Sequence, residues 1–274
     1  MPSTPALRRL GLRLPSVPSL CAVCGGFGAG RLCATCLARF AAPRVRCARC
    51  ALPLDGVGAD DAARAESAAA MRLACGACLV RPPPFDAAVA AVDYRAPWDR
   101  LLADFKFRDA PELAGPLAAC LLDALRRRPD LAPDLVVPVP LAGARLAERG
   151  HNQAWELARR VAPALGRRAA NGANGANGAN GVRPVSAEPA LVVRLRDTRH
   201  QLALPPAERA GNVRGAFAVE PARARDVSGR RVLVVDDVMT TGSTAGEIAR
   251  VLRTAGAAFV AVAVVARVPR PGEV

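Results

Sequence analysis

The sequence predicts an α/β fold, a doubly wound parallel sheet preceded by a small cysteine-rich module. Three observations carry this. From Phe85 onward, strand-length apolar runs alternate with segments of helical periodicity. One run, Val232–Val235, is continuous Val and Leu, as suits a central parallel strand covered on both faces. Eight of the nine cysteines fall within residues 1–80, where apolar periodicity is weak. Pro82–Pro83–Pro84 reads as a stiff linker between the two parts. The expected organisation is a module over residues 1–80 and an α/β domain over 85–274, and 274 residues suffice for both.

In chain order, Ala87–Val92 reads as the first strand. Glu112–Arg127 is a helix with Leu113, Leu117, Cys120, Leu121 and Leu125 on one face, which makes Cys120 a core residue. Leu135–Val139 is a short buried strand. Gln153–Leu165 is a helix that buries Leu157, Val161 and Leu165. Leu191–Val193 and Ala216–Val219 are short strands flanking a polar segment. Ser243–Ala255 is a helix with Ile248, Val251, Leu252 and Ala255 inward and Gly256 as its stop. Phe259–Val265 closes the pattern as a strand. The Asn-Gly-Ala tract of residues 171–181 cannot bury apolar surface and is expected to be a disordered insertion.

The cysteines form four Cys-x-x-Cys pairs: Cys21/Cys24, Cys33/Cys36, Cys47/Cys50 and Cys75/Cys78. Each pair can present two thiolates to one tetrahedral Zn²⁺, so the eight make two structural Cys₄ sites. Sequential pairing is the simplest, crossed pairing is open, and iron–sulfur ligation is the competing chemistry. Paired cysteines of this kind suit a cytoplasmic protein better than a secreted one. No stretch is long enough to span a bilayer, and the proline-interrupted N-terminus makes a poor signal peptide.

The formal charge is +14, and Lys106 is the only lysine among the basic residues. Arginine enrichment of this breadth resembles a coding bias, yet an Arg-rich surface attracts phosphates on a small ligand or a nucleic acid. Few aromatic residues are available as base-stacking platforms.

The strongest signal is Arg231–Thr244. A buried strand delivers Asp236 and Asp237 to its C-terminal end, and Val238, Met239, Thr240, Thr241, Gly242, Ser243 and Thr244 then turn into a helix. Gly242 allows close backbone approach, the hydroxyls are donors, and the helix N-terminus favours a phosphate. Two carboxylates directly before an anion site repel phosphate; they make sense if they grip ribose hydroxyls attached to it. A solvated strand–helix turn is the bland alternative. Being adjacent on a strand, the two side chains diverge and cannot act as a glycosidase pair, and no Ser-His-Asp arrangement is visible.

Asp-Asp-Val-Met-Thr-Thr-Gly-Ser-Thr resembles the phosphoribosyl-pyrophosphate (PRPP) motif of type I phosphoribosyltransferases. More narrowly, the chain resembles the ComF family of competence-associated phosphoribosyltransferase-like proteins. The carrying segments are Pro82–Asp86, Phe105-Lys-Phe-Arg108, Val137-Pro-Val-Pro-Leu141, Arg149-Gly-His-Asn-Gln-Ala154, Arg196-Asp-Thr-Arg-His-Gln201 and Glu208-Arg-Ala-Gly-Asn-Val-Arg-Gly-Ala-Phe217. The resemblance implies a type I phosphoribosyltransferase-like domain behind an N-terminal zinc ribbon. It implies that Asp236 and Asp237 hold the ribose hydroxyls, that Thr240–Thr244 hold the 5′-phosphate, and that Arg145 and Arg149 face the pyrophosphate. It also implies a link to DNA uptake in natural competence. His151 departs from the pattern, standing where the family has an aromatic residue, and reads as a substituted packing residue.

Phosphoribosyl transfer expels pyrophosphate while the ribose C1 becomes cation-like, which calls for Mg²⁺ and basic groups on the leaving group. Lys106, set between Phe105 and Phe107, is a candidate point charge for that work, with a surface residue as the alternative. Arg194–Gln201, including Arg196 and His200, suits a mobile lid or equally a solvated loop. His200 is a candidate proton donor or phosphate ligand. Two functions are thus expected. One is a phosphoribosyltransferase that binds PRPP or a related ribose 5-phosphate with Mg²⁺. The other is a non-catalytic factor that handles single-stranded DNA, with partners in the competence machinery and a basic ribbon face carrying Arg31, Arg39, Arg44, Arg46 and Arg49.

Overall fold

A five-stranded, all-parallel sheet runs through the computed structural model, which describes residues 19–28, 30–54, 73–108, 110–172, 184–196 and 208–269. The chain opens with a short hairpin, β1 (Ser19–Leu20) and β2 (Phe27–Gly28), and two short helices, α1 (Ala34–Phe40) and α2 (Gly76–Val80). Then come β3 (Ala87–Asp93), α3 (Trp98–Phe107), α4 (Ala114–Arg126) and β4 (Leu135–Pro138). Helices α5 (Gly143–Arg149) and α6 (Gln153–Gly172) precede β5 (Ser186–Ala187), β6 (Val192–Arg194), α7 (Arg209–Val213) and β7 (Phe217–Val219). The chain closes with β8 (Arg231–Met239), α8 (Ser243–Thr254) and β9 (Phe259–Arg267).

The strand order is β3-β9-β8-β4-β5, with every neighbour parallel. Alternation along each strand explains why both faces are covered. Leu233 and Val235 of β8 and Ala261, Ala263 and Val265 of β9 join the core under α3, α4 and α6. Val232 and Val234 of β8 and Val260, Val262 and Val264 of β9 join the core under α8 and the β6–β7 pair. The doubly wound parallel sheet expected from Val232–Val235 is the fold observed.

Several elements differ from expectation. Strands β6 and β7 pair antiparallel with each other, outside the main sheet. Helix α6 runs beyond Leu165 to Gly172, because helix-favouring Ala and Arg residues continue to residue 170 and propagation is cooperative. It thereby takes in Asn171 and Gly172 of the predicted disordered tract, whose remainder lies outside the described residues. Helix α3 has no counterpart in the sequence reading, although Trp98, Leu101, Leu102 and Phe105 recur at helical spacing and are all buried. No helix among the described residues is long and apolar enough to cross a membrane.

Connections from β4 lead outward to β5, while those from β8 lead the other way to β9. The switch point between β4 and β8 is where an open α/β sheet offers a crevice at its carboxyl edge.

Candidate functional site

A cavity of about 170 Å³ occupies that crevice. Val139, Pro140 and Leu141 after β4 form one wall, and Asp236 and Val238–Ala245 at the end of β8 form the other. Lys106 from α3, Arg145 and Arg149 from α5, Arg194 from β6 and Tyr94 complete it.

Strand alternation separates the two acids. Asp237 follows Leu233 and Val235 toward the α3 side, is 4% exposed, and sits 2.8 Å from Lys106 Nζ through its Oδ2. It is an ion contact rather than a well-aligned hydrogen bond. Lys106 stands in the last turn of α3, one turn beyond buried Leu102 and next to buried Phe105, so the apolar face of the helix aims it at β8. Asp236 points the other way and lines the cavity. Although Asp236 keeps partial exposure, burial, reinforced by the Asp237 carboxylate and opposed by Lys106, pushes its carboxyl up to about 8. Unfolded, that carboxyl titrates near about 4. The folded state therefore holds a proton that the unfolded state has lost between about pH 4 and 8, and this group's contribution to stability falls as pH rises through that window. Asp236→Asn is expected to raise the melting temperature by about 2–4 °C at pH 9, the scale of about 1 kcal/mol, and by less at pH 5. An equal effect at both pH values in melting curves would overturn the assignment.

The loop turns at Gly242, whose φ of +81° is a conformation in which a side chain is strained. Gly246 N–H donates to Gly242 O at 2.8 Å to start α8, and the Thr241 and Ser243 hydroxyls are bonded at 2.8 Å. Ser243, Thr244 and Ala245 of the first turn line the cavity, and the free amides of a helix start suit an anion.

Arg149 is held across the cavity from several sides. Its guanidinium lies 4.8 Å over the Phe107 ring, and Nη1 donates to Gln153 Oε1 at 3.2 Å. Burial lowers its pKa, with Asp237 opposing, from a value so high that it stays charged. Gln153, 3% exposed, also contacts His151 Nε2 at 3.3 Å. The His151 ring packs 5.6 Å from Phe105, behind Lys106, which is the position of a packing residue. Asn152 caps α6, accepting from Trp155 N–H at 3.3 Å and donating to Val139 O at 3.1 Å.

The structure thus brings Lys106, Asp236, Asp237, Val238–Thr244, Arg145 and Arg149 together. Arg196 stands apart, donating to the carbonyls of Arg214 and Asn212, while Arg194 reaches the cavity. His200 lies outside the described residues. Asn152 and Gln153 were given no role of their own from the sequence; a polar Asn-Gln pair opening an amphipathic helix is the signal that points to them.

The cysteines form two clusters, Cys21/Cys24/Cys33/Cys36 and Cys47/Cys50/Cys75/Cys78, so the pairing is sequential. Within each, all four sulfurs lie within 4.8 Å of one another. Four sulfurs about 2.3 Å from one tetrahedral ion stand about 3.8 Å apart. The Cys24–Cys33 and Cys50–Cys75 sulfur pairs are at 3.8 Å and 3.7 Å, so the residues fit such an ion. Main-chain N–H groups of Cys33 and Cys75 point at Cys21 and Cys47 sulfurs at 3.4 Å and 3.3 Å, an arrangement that favours thiolate. The Cys50 thiol holds Cys47 down to about 4, and burial pushes Cys78 up to about 12.

Residues 117–274 match the family described as phosphoribosyl transferase domain. The chain is 34% identical over 255 residues to DNA utilization protein YhgH of Salmonella typhimurium, spanning 90% of this chain and 96% of that one. It is 32% identical over 186 residues to Competence protein F of Haemophilus influenzae, spanning 66% and 73%. A 66-residue stretch, 23% of this chain and 37% of the other, is 46% identical to adenine phosphoribosyltransferase of Mycobacterium avium.

Proposed function

The chain belongs to the phosphoribosyl transferase domain family and, within it, to the ComF family, and on that premise we propose that its cavity binds PRPP or a related ribose 5-phosphate together with Mg²⁺. The observation that carries this is one juxtaposition: Asp236 and the Lys106–Asp237 pair stand at the strand end from which Val238–Thr244 turns into α8. In this reading the loop amides and hydroxyls take the 5′-phosphate, and the acids take the ribose hydroxyls. Arg145, Arg149 and Lys106 face the diphosphate, where developing charge is stabilised as it departs. Mg²⁺ supplies further neutralisation of that diphosphate. The ions of the two Cys₄ clusters are read as structural Zn²⁺.

Calorimetry of the full chain with PRPP and Mg²⁺ tests the proposal. Binding is expected in the parent and is expected to vanish in Asp236→Ala/Asp237→Ala. Equal heats from both chains, or none from the parent, would sink it.

The names of the relatives and the charge of +14 favour a companion role in handling single-stranded DNA. Three of the five ribbon arginines are committed to carboxylates, Arg31 to Glu112 and Arg44 and Arg46 to Asp93, which narrows any basic face there. DNA binding retained in the double variant separates this role from the sugar-phosphate one.

A further inference from the structure

Arg267 ends β9 in register with Met239 of β8 and Asp93 of β3. It is 5% exposed. Its Nε donates to Cys50 O at 2.9 Å, and its Nη1 donates to Met239 O at 3.0 Å, to Val268 O at 2.8 Å and to Thr240 O. Cys50 is a ligand residue of the second Cys₄ cluster, and Met239 and Thr240 begin the phosphate loop. One planar guanidinium therefore spans the metal knuckle and the loop, a reach for which its rigid fork of donors is suited.

The packing around this bridge is continuous. The Cys47–Cys50 turn closes through Ala51 N–H to Cys47 O at 2.8 Å and Cys47 N–H to Leu52 O at 2.8 Å. Ala51 is fully buried in the same core as Phe85 and Met239. Those two side chains in turn border Gly242 at the loop's bend. Ala88 N–H of β3 donates to Ala48 O at 3.0 Å, pinning the knuckle to the sheet. The first cluster docks elsewhere, with Arg31 on Glu112 and the Phe40 carbonyl on Trp98.

We infer that the second Cys₄ cluster sets the geometry of the phosphate loop, with Arg267 as the positioning residue that couples them. A bound ion fixes the knuckle, the knuckle fixes the Cys50 carbonyl, and Arg267 carries that position to the Met239 and Thr240 carbonyls. The loop's identity as a phosphate site rests on the function proposed above, but the coupling concerns the loop's order and is read without any ligand.

Hydrogen exchange of the full-length chain over residues 239–244, with metal content measured alongside, tests it. Cys75→Ser/Cys78→Ser is expected to speed exchange there about tenfold or more, the scale of one lost charge-assisted hydrogen bond, while Cys21→Ser/Cys24→Ser leaves it unchanged. Arg267→Met is expected to give the same acceleration with both ions still bound, and adding Cys75→Ser/Cys78→Ser to it to give no more. Equal acceleration from loss of the first cluster would overturn the inference. So would a loop still protected in metal-replete Arg267→Met, a result that decides the matter even where the cysteine variants fail to fold. Ribose 5-phosphate affinity is expected to fall with exchange protection in Arg267→Met. Protection that drops while affinity for ribose 5-phosphate stays at the parent's value would overturn the loop's phosphate role and leave the coupling standing.

Discussion

Replacing Lys106 with methionine is expected to weaken binding of PRPP with Mg²⁺ by about 10- to 100-fold. A charge-assisted hydrogen bond contributes about 1.5–3 kcal/mol, and each factor of ten is about 1.4 kcal/mol. Methionine keeps an apolar stem of similar length and removes only the ammonium, so the loss reads the charge. The same change leaves Asp237, 4% exposed, without the cation 2.8 Å away. Breaking a buried pair costs about 3–5 kcal/mol. Lys106 retains about a fifth of its side-chain exposure, so the stability cost belongs at or below the low end of that range. Adding Asp237→Asn to Lys106→Met is then expected to recover melting temperature but not affinity. Lys106→Arg tests the need for a compact charge, since a guanidinium in this space meets Asp237 with different geometry. A Lys106→Met chain that melts lower yet binds PRPP as the parent does would remove Lys106 from the site.

The legibility of this molecule in its sequence follows the range of the interactions. The sheet is readable because Val232–Val235 and Ala261–Ala266 are buried on both faces and their composition says so locally. The proposed phosphate loop is readable for the same reason, being one strand, one turn and one helix start within Arg231–Thr244. Helix α3 is harder because Asp99, Arg100, Asp104 and Lys106 dilute its apolar spacing and Trp98 belongs partly to the ribbon, donating to Phe40 O at 2.8 Å. Helix α5 is only seven residues and owes its ends to the extended Ala142 before Gly143 and the left-handed Gly150 rather than to periodicity. The pairing of the cysteines needed the folded chain, since knuckles separated by a long intervening segment leave both connectivities open. Arg267 was not legible at all: its partner Cys50 is 217 residues away, and nothing near Arg267 distinguishes it from three dozen other arginines.

Asp93→Ala is expected to destabilise the fold by about 3–5 kcal/mol, a fall of about 6–20 °C in melting temperature for a domain of this size. Asp93 ends β3 with its carboxylate 6% exposed, 2.7 Å from Arg46, 2.5 Å from Arg44 and 3.4 Å from Arg95. Arg46 is itself almost enclosed, so deleting the acid strands a buried guanidinium rather than freeing a surface one. The pair joins the segment before Cys47 to the sheet beside Arg267, so its loss falls on the seam between the cysteine clusters and the sheet. Burial works to raise the Asp93 carboxyl, and Arg46 and then Arg44 outweigh it and hold the carboxyl below the usual range. A depressed acid contributes stability that is fully present above its unfolded pKa of about 3.9 and is lost as pH falls through its folded value. Acid melts should therefore show the parent's advantage over Asp93→Asn at neutral pH shrinking only below about pH 4. Replacing both partners, Arg46→Met with Asp93→Leu, is expected to sit closer to the parent than Asp93→Ala does, because no buried charge is left unpaired. Were Asp93→Ala to cost less than about 1 kcal/mol, the value of an exposed pair, the seam would be hydrated and the ribbon held by its apolar contacts alone.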